Sequence, residues 1–122
     1  MAYVLSRGKT FKSLVNIREP VDGDKVSKSA LTVTYERRPR SEFDAVLAEQ
    51  ARLTAEGEPA NGRVAWLRLI LVNVEGMVDE QGQAVAFDAD AKDVLLEDPC
   101  AVNALYDHFW QMVNEGKAKL GN

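Results

Sequence analysis

The chain has 122 residues, room for one domain and too few for two well-packed ones. Its composition, 46% hydrophobic and 28% charged, is globular and excludes wholesale disorder, while its longest apolar run, Leu69–Val72, is far below the roughly 18 residues of a membrane helix. A single cysteine, Cys100, excludes an intramolecular disulfide, and Met1–Arg7 lacks the apolar stretch of a secretory signal; the expectation is a single domain, 1–122, in a reducing cytoplasm.

The net charge of −4 is unevenly spread: residues 1–40 carry nine Lys/Arg against four Asp/Glu, and residues 41–122 carry six against fifteen. Such a split fits a basic arm for nucleic acid, two merely solvated halves, or a molecule with unlike ends. In the last case copies stack head to tail and form a homo-oligomer, with Arg37, Arg38 and Arg40 of one copy facing Asp88, Asp90 and Asp93 of the next.

Phe11, Val15 and Ile17 alternate with Lys12, Asn16 and Arg18, which predicts a strand over 10–18 that Leu14 interrupts. Leu31, Val33 and Tyr35 alternate with Thr32, Thr34 and Glu36, a second strand over 30–37. The turn-forming stretch Glu19–Lys25 between them predicts a β-hairpin with a long polar loop, and Tyr3-Val4-Leu5 offers a short edge strand. Ser41, with Asp44 three residues on, reads as the cap of a helix ending near Gly57 and presenting Phe43, Val46, Leu47, Ala51 and Thr54 on one face.

Asn61 caps the next segment, expected as a helix to about Val72 with Val64, Leu67 and Leu71 on one face and Trp66 and Ile70 beside it, then an extended stretch. Over 70–75 period alone does not separate helix from strand. Asp79–Gly82 is a turn, with Ala84–Phe87 pairing back. Asp88 or Asp90 caps a short helix bearing Val94, Leu95 and Leu96. Asp98-Pro99 opens a C-terminal helix over about 99–115, stopped at Gly116, with Lys117 and Lys119 beyond it. The β-rich, basic 1–40 and the mainly helical, acidic 41–122 together predict an α+β fold, a small antiparallel sheet packed with about four helices.

Catalytic and cofactor chemistry is not legible. Gly8-Lys9-Thr10 resembles the end of a phosphate loop, but Tyr3 stands where that loop needs glycine and a strand follows instead of a helix. A calcium loop built on Gly82 would place Met77 at its first ligand position, and one on Asp22–Asp24 would place Ser27 where the turn glycine belongs. One cysteine and one histidine do not make a zinc site, and Cys100 and His108, about 12 Å apart along one helix, are too distant for proton transfer. The expectation is a protein that is not an enzyme and has no cofactor. Arg37, Arg38 and Arg40, with Lys9, Lys12, Lys25 and Lys28, form the one cluster suited to phosphates; the acidic overall balance argues against nucleic acid.

On the last helix Leu105, Phe109 and Met112 form a core stripe, while Val102, Tyr106, Trp110 and Val113 form a second stripe beside it. Tyr106, Trp110 and Val113 are therefore candidate partner anchors, with Trp66 a fourth; burial of the helix on two sides is the alternative.

Three stretches together resemble the tail assembly chaperones of long-tailed bacteriophages: Phe11–Pro20 with Leu31–Arg37 and Ser41–Asp44; Val74–Gly82 with Ala86-Phe87; and Leu95–Tyr106. Relatives often carry tryptophan before the Glu75-Gly76 step, where this chain has Asn73-Val74. The resemblance implies a non-enzymatic α+β protein of the bacterial host cytoplasm, absent from the finished particle, that binds the helical tape measure protein and keeps it soluble while the tail tube polymerises. Many members self-associate, and many also occur in a longer, frameshifted form; an ending soon after Gly116 fits the shorter one. A nucleic-acid-binding regulator using the arginine cluster and a structural tail or connector subunit are the alternatives.

Overall fold

The computed structural model describes residues 2, 3, 5 and 9–121, with side chains to Asn114. It is an α+β fold: a three-stranded antiparallel sheet, ordered β1-β2-β3, with four helices. The chain order is β1 (Thr10–Val21), β2 (Lys25–Glu36), α1 (Arg40–Ala55), α2 (Gly62–Ile70), β3 (Leu71–Glu75), α3 (Ala89–Leu96) and α4 (Pro99–Gly121).

The hairpin is longer and its loop shorter than the sequence predicts. Pairing runs unbroken from Thr10↔Glu36 to Val21↔Lys25, leaving Asp22-Gly23-Asp24 as the turn, with positive φ at Gly23 and Asp24. Glycine and aspartate are the residue types that tolerate that conformation, and the tight turn locks the register. Ladder hydrogen bonds need no apolar partner, so β1 and β2 continue past the core although Arg18–Val21 and Lys25–Ala30 are exposed. Pro20 is accommodated because β1 is an edge strand. Of the predicted N-terminal strand, Val4 lies outside the described residues, and Tyr3 and Leu5 belong to no strand.

Helix α2 opens on Asn61, whose Oδ1 accepts the Val64 N–H at 3.2 Å. It ends at Ile70, two residues before the expected point, and the chain passes directly into β3, which pairs with β2. A bulge makes Val72 the extra residue between Tyr35↔Leu71 and Thr34↔Asn73. Strict alternation would put Leu71 and Val74 on opposite faces; the bulge lets both reach the core, opposite Tyr35 and Val33. At Gly76, φ is +104° and an added Cβ would lie 3.3 Å from the Ala30 carbonyl oxygen, so the exit from β3 requires glycine.

The expected turn at Asp79–Gly82 is present, with the Val78↔Ala84 bridge behind it. Asp88 caps α3 through the Ala91 N–H, and Asp98 accepts the Cys100 N–H at the start of α4. Ser41 does not cap α1: the helix begins at Arg40 after Pro39, and no side chain caps it. Its first turn is instead braced by the ion pairs Arg38–Glu42 and Arg40–Asp44. On α1 only Phe43 and Val46 of the predicted face pack on the core; Leu47, Ala51 and Thr54 are exposed. Helix α4 continues through Gly116 to Gly121, because one interior glycine weakens a helix by only about 1 kcal/mol. The side chains of Lys117 and Lys119 lie outside the described residues.

The core lies between the inner sheet face (Val15, Ile17, Leu31, Val33, Tyr35, Leu71, Val74) and a helical layer supplying Trp66, Leu67, Ile70, Leu96, Ala101, Val102, Leu105 and Phe109. Two polar contacts bind α4 to the sheet: the Tyr35 hydroxyl donates to the Leu105 carbonyl at 2.9 Å, and Ser13 Oγ and His108 Nε2 share a 2.6 Å hydrogen bond.

Candidate functional site

A seam of aromatic rings crosses the helical layer. Phe11 and Tyr35 rise from the sheet onto Phe109, and Phe109 in turn meets Trp66 and Trp110. Phe43 of α1 closes the seam, edge-on to Trp66 at 5.0 Å and to Trp110 at 4.9 Å between ring centroids. Tyr106 joins at 6.4 Å from Trp110, the neighbouring position expected of residues four apart on a helix. Such offset and edge-to-face contacts add about 0.5–1.5 kcal/mol each beyond area burial, so Phe43, with Val46 beside it in the core contact, ties α1 to the helical layer.

The seam separates the four predicted anchors. Tyr106, Trp110 and Val113 are half-buried, packed against the core with part of each surface open. Trp66 is 1% exposed and is a core residue, which corrects its assignment as a partner anchor: its helix is short and clamped between α1 and α4, so its largest side chain points inward. Met112 is also corrected. It is 38% exposed, because the core row of α4 follows Ala101, Leu105 and Phe109 at i, i+4 spacing and continues to Val113 rather than Met112. Val102, expected in the second stripe, is fully within the core.

Two features of this face were not legible beforehand. The indole N–H groups of both Trp66 and Trp110 are shielded from solvent and meet no acceptor among the described residues. An unmatched buried donor carries a penalty of about 1–3 kcal/mol. In addition, the Arg63 guanidinium lies 4.6 Å above the Tyr106 ring while its Nη1 reaches Asp107 and Asn103, so Tyr106 is covered on one side by a cation.

The charged candidates are mostly engaged within the chain. Arg38 donates to Glu42 at 2.9 Å, and its Nε lies 3.0 Å from Glu36, an ion-pair distance without hydrogen-bond alignment. Glu42 is the main reason the Arg38 guanidinium holds its proton more firmly than an ordinary arginine. Arg40 meets Asp44, Asp93 meets Arg68 at 2.6 Å, and Asp88 is the α3 cap. Arg37 and Asp90 keep exposed side chains without such contacts among the described residues. The sequence reading missed Lys92, the one cation in the acidic segment 79–98. Its Nζ donates to the carbonyls of Arg68 and Leu71, capping the C-terminus of α2, and burial followed by repulsion from Arg68 lowers its pKa.

Other chemistry is thinly supported. Thr10 opens β1, and Gly8 lies outside the described residues. His108 pairs with Ser13 rather than with Cys100, a contact between residues 95 positions apart that no local pattern announces. Among the described residues no group of three potential metal ligands occurs, and no helix is long and apolar enough to cross a membrane. Comparison of the chain with protein-family models, with curated proteins and with solved structures gave no match.

Proposed function

We propose that the chain is a non-enzymatic tail assembly chaperone that binds the tape measure protein in the host cytoplasm and leaves before the tail is complete. The observation that carries this reading is the half-buried surface of Trp110, Tyr106 and Val113 beside α1, a helix with no fully buried residue. An aromatic face between helices suits the apolar stripe of a helical partner, and Trp and Tyr are favoured anchors. The resemblance of the three stretches within residues 11–106 supports the same class.

The test is co-expression with the tape measure protein encoded beside this chain. The expected result is a soluble complex that survives high salt, since burial of apolar surface is not screened. Failure to raise solubility and failure to co-purify would overturn the proposal. Binding that instead collapses steeply with salt would favour the nucleic-acid reading through the arginine cluster. Retention of the chain in purified particles would favour a structural subunit.

A further inference from the structure

The outer face of the sheet, opposite the helical layer, presents Lys12, Leu14, Asn16, Arg18 and Pro20 from β1 beside Thr34, Thr32, Ala30, Lys28 and Val26 from β2. Arg18 and Lys28 stand directly opposite one another in the ladder. Like charges in that position destabilise a sheet, and a locally unfavourable arrangement at an exposed site points to use of the charge elsewhere. Leu14 is 58% exposed and Val26 55%, so the basic residues surround apolar ones. On the same face Glu36 is taken by Arg38, and Glu75 of β3 stands opposite Thr32, away from the hairpin end that carries Arg18 and Lys28.

The same chain carries a matching surface. Residues 79–98 hold seven carboxylates and one cation, Lys92, whose ammonium is committed to the end of α2. Asp90 and Val94 of α3 and Glu97 at its C-cap follow one helical row, and Val94 is 72% exposed. An apolar centre between carboxylates thus mirrors an apolar centre between cations. Because α3 lies in the helical layer and the basic face is on the far side of the sheet, the two cannot meet within one molecule.

We propose that the outer sheet face around Leu14, Arg18, Val26 and Lys28 is a docking surface for the Asp90–Val94–Glu97 face of α3 in a second copy of this chain. The contact is heterologous, each copy using a different surface, so it propagates head to tail into a ring or filament. It replaces the Arg37, Arg38 and Arg40 cluster, two of whose members are bound internally, as the basic partner. Exposed ion pairs are individually weak, so Leu14, Val26 and Val94 supply the apolar part while the charges set orientation.

The test uses the whole chain in sedimentation at high protein concentration, at about 10 mM salt, where the screening length is about 30 Å, and at about 1 M, where it is about 3 Å. The expected result is an assembly larger than a monomer at low salt and its loss at high salt. Paired reversals Arg18→Glu with Lys28→Glu, or Asp90→Lys with Glu97→Lys, are each expected to leave monomers. Mixing the two reversed proteins is expected to restore association as alternating copies, because the acidic sheet face of one meets the basic α3 face of the other and the unaltered faces meet as in the wild type. The milder pair Arg18→Gln with Lys28→Gln, with circular dichroism, guards against misfolding. A wild type that stays monomeric at low salt, or an assembly indifferent to both reversals, overturns the proposal. So does a monomeric chain that binds duplex DNA through Arg18 and Lys28, which would make the face a nucleic-acid surface.

Discussion

The indole of Trp110 lies nearly parallel to that of Trp66, their planes 12° apart and their centroids 6.2 Å apart, yet one ring is a core residue and the other opens toward the surface. The pair therefore separates fold from function by substitution. Trp66→Ala is expected to lower stability by about 3–5 kcal/mol, the range for a large aromatic removed from a core. Trp110→Ala, which vacates a half-buried site, is expected to lower it by only about 2 kcal/mol while weakening the proposed binding of a tape measure protein by a similar amount. Urea unfolding and pull-down of the co-expressed partner read the two effects. A Trp110→Ala protein that binds as well as wild type would remove the aromatic face from the proposed function.

Tyr35 predicts an alkaline limit to stability. Its hydroxyl is buried, and burial pushes its pKa far above the ordinary tyrosine value. The unfolded chain loses this proton near pH 10 while the native state retains it, so the contribution is complete below pH 10 and falls above it by about 1.4 kcal/mol per pH unit. Lys92 acts with the opposite sign: its lowered pKa makes stability rise as pH climbs toward the ordinary lysine value. Comparing wild type with Tyr35→Phe from pH 8 to 11 isolates the tyrosine. The variant is expected to lose about 0.5–1.5 kcal/mol at neutral pH through the missing bond to Leu105, and to lack the steep fall above about pH 10.

Lys92 anchors α3 to the end of α2 through the Arg68 and Leu71 carbonyls. Lys92→Met preserves the length of the side chain and removes both bonds, and with them a charge that burial and Arg68 oppose. A loss of about 1–2 kcal/mol is expected in thermal or urea unfolding, more than an exposed lysine contributes. No change would show that the two carbonyls are equally well served by water.

Gly76 and Gly82 both have positive φ but differ in surroundings. Gly76→Ala adds a Cβ at 3.3 Å from the Ala30 carbonyl on a strained backbone, and a loss of about 1–3 kcal/mol is expected. Gly82→Asn places a residue that tolerates this conformation where nothing lies within 4 Å of the new Cβ, and less than about 1 kcal/mol is expected. Thermal unfolding of the two variants side by side checks the contrast.

Alternation over Phe11–Ile17 and Leu31–Tyr35, the Asn61 and Asp98 caps and the Asp79–Gly82 turn were each determined by the sequence alone, because period and capping are properties of a few neighbouring residues; between Asp88 and Asp90 as the α3 cap the structure selects Asp88. Together they were enough for the α+β class, the sheet-forming hairpin and the order of the helices. The tertiary structure decided what depends on distant partners. Pairing with β2 turned Leu71–Glu75 into a strand and placed the bulge at Val72; packing between α1 and α4 took Trp66 out of the surface; the row through Ala101, Leu105 and Phe109 left Met112 outside. The Ser13–His108 bond, the Lys92 cap and the Arg18–Lys28 opposition arise in the same way, from contacts whose members are far apart in the chain or whose register is set by a turn. A local pattern records which face of an element is apolar; only the assembled layers determine what that face meets.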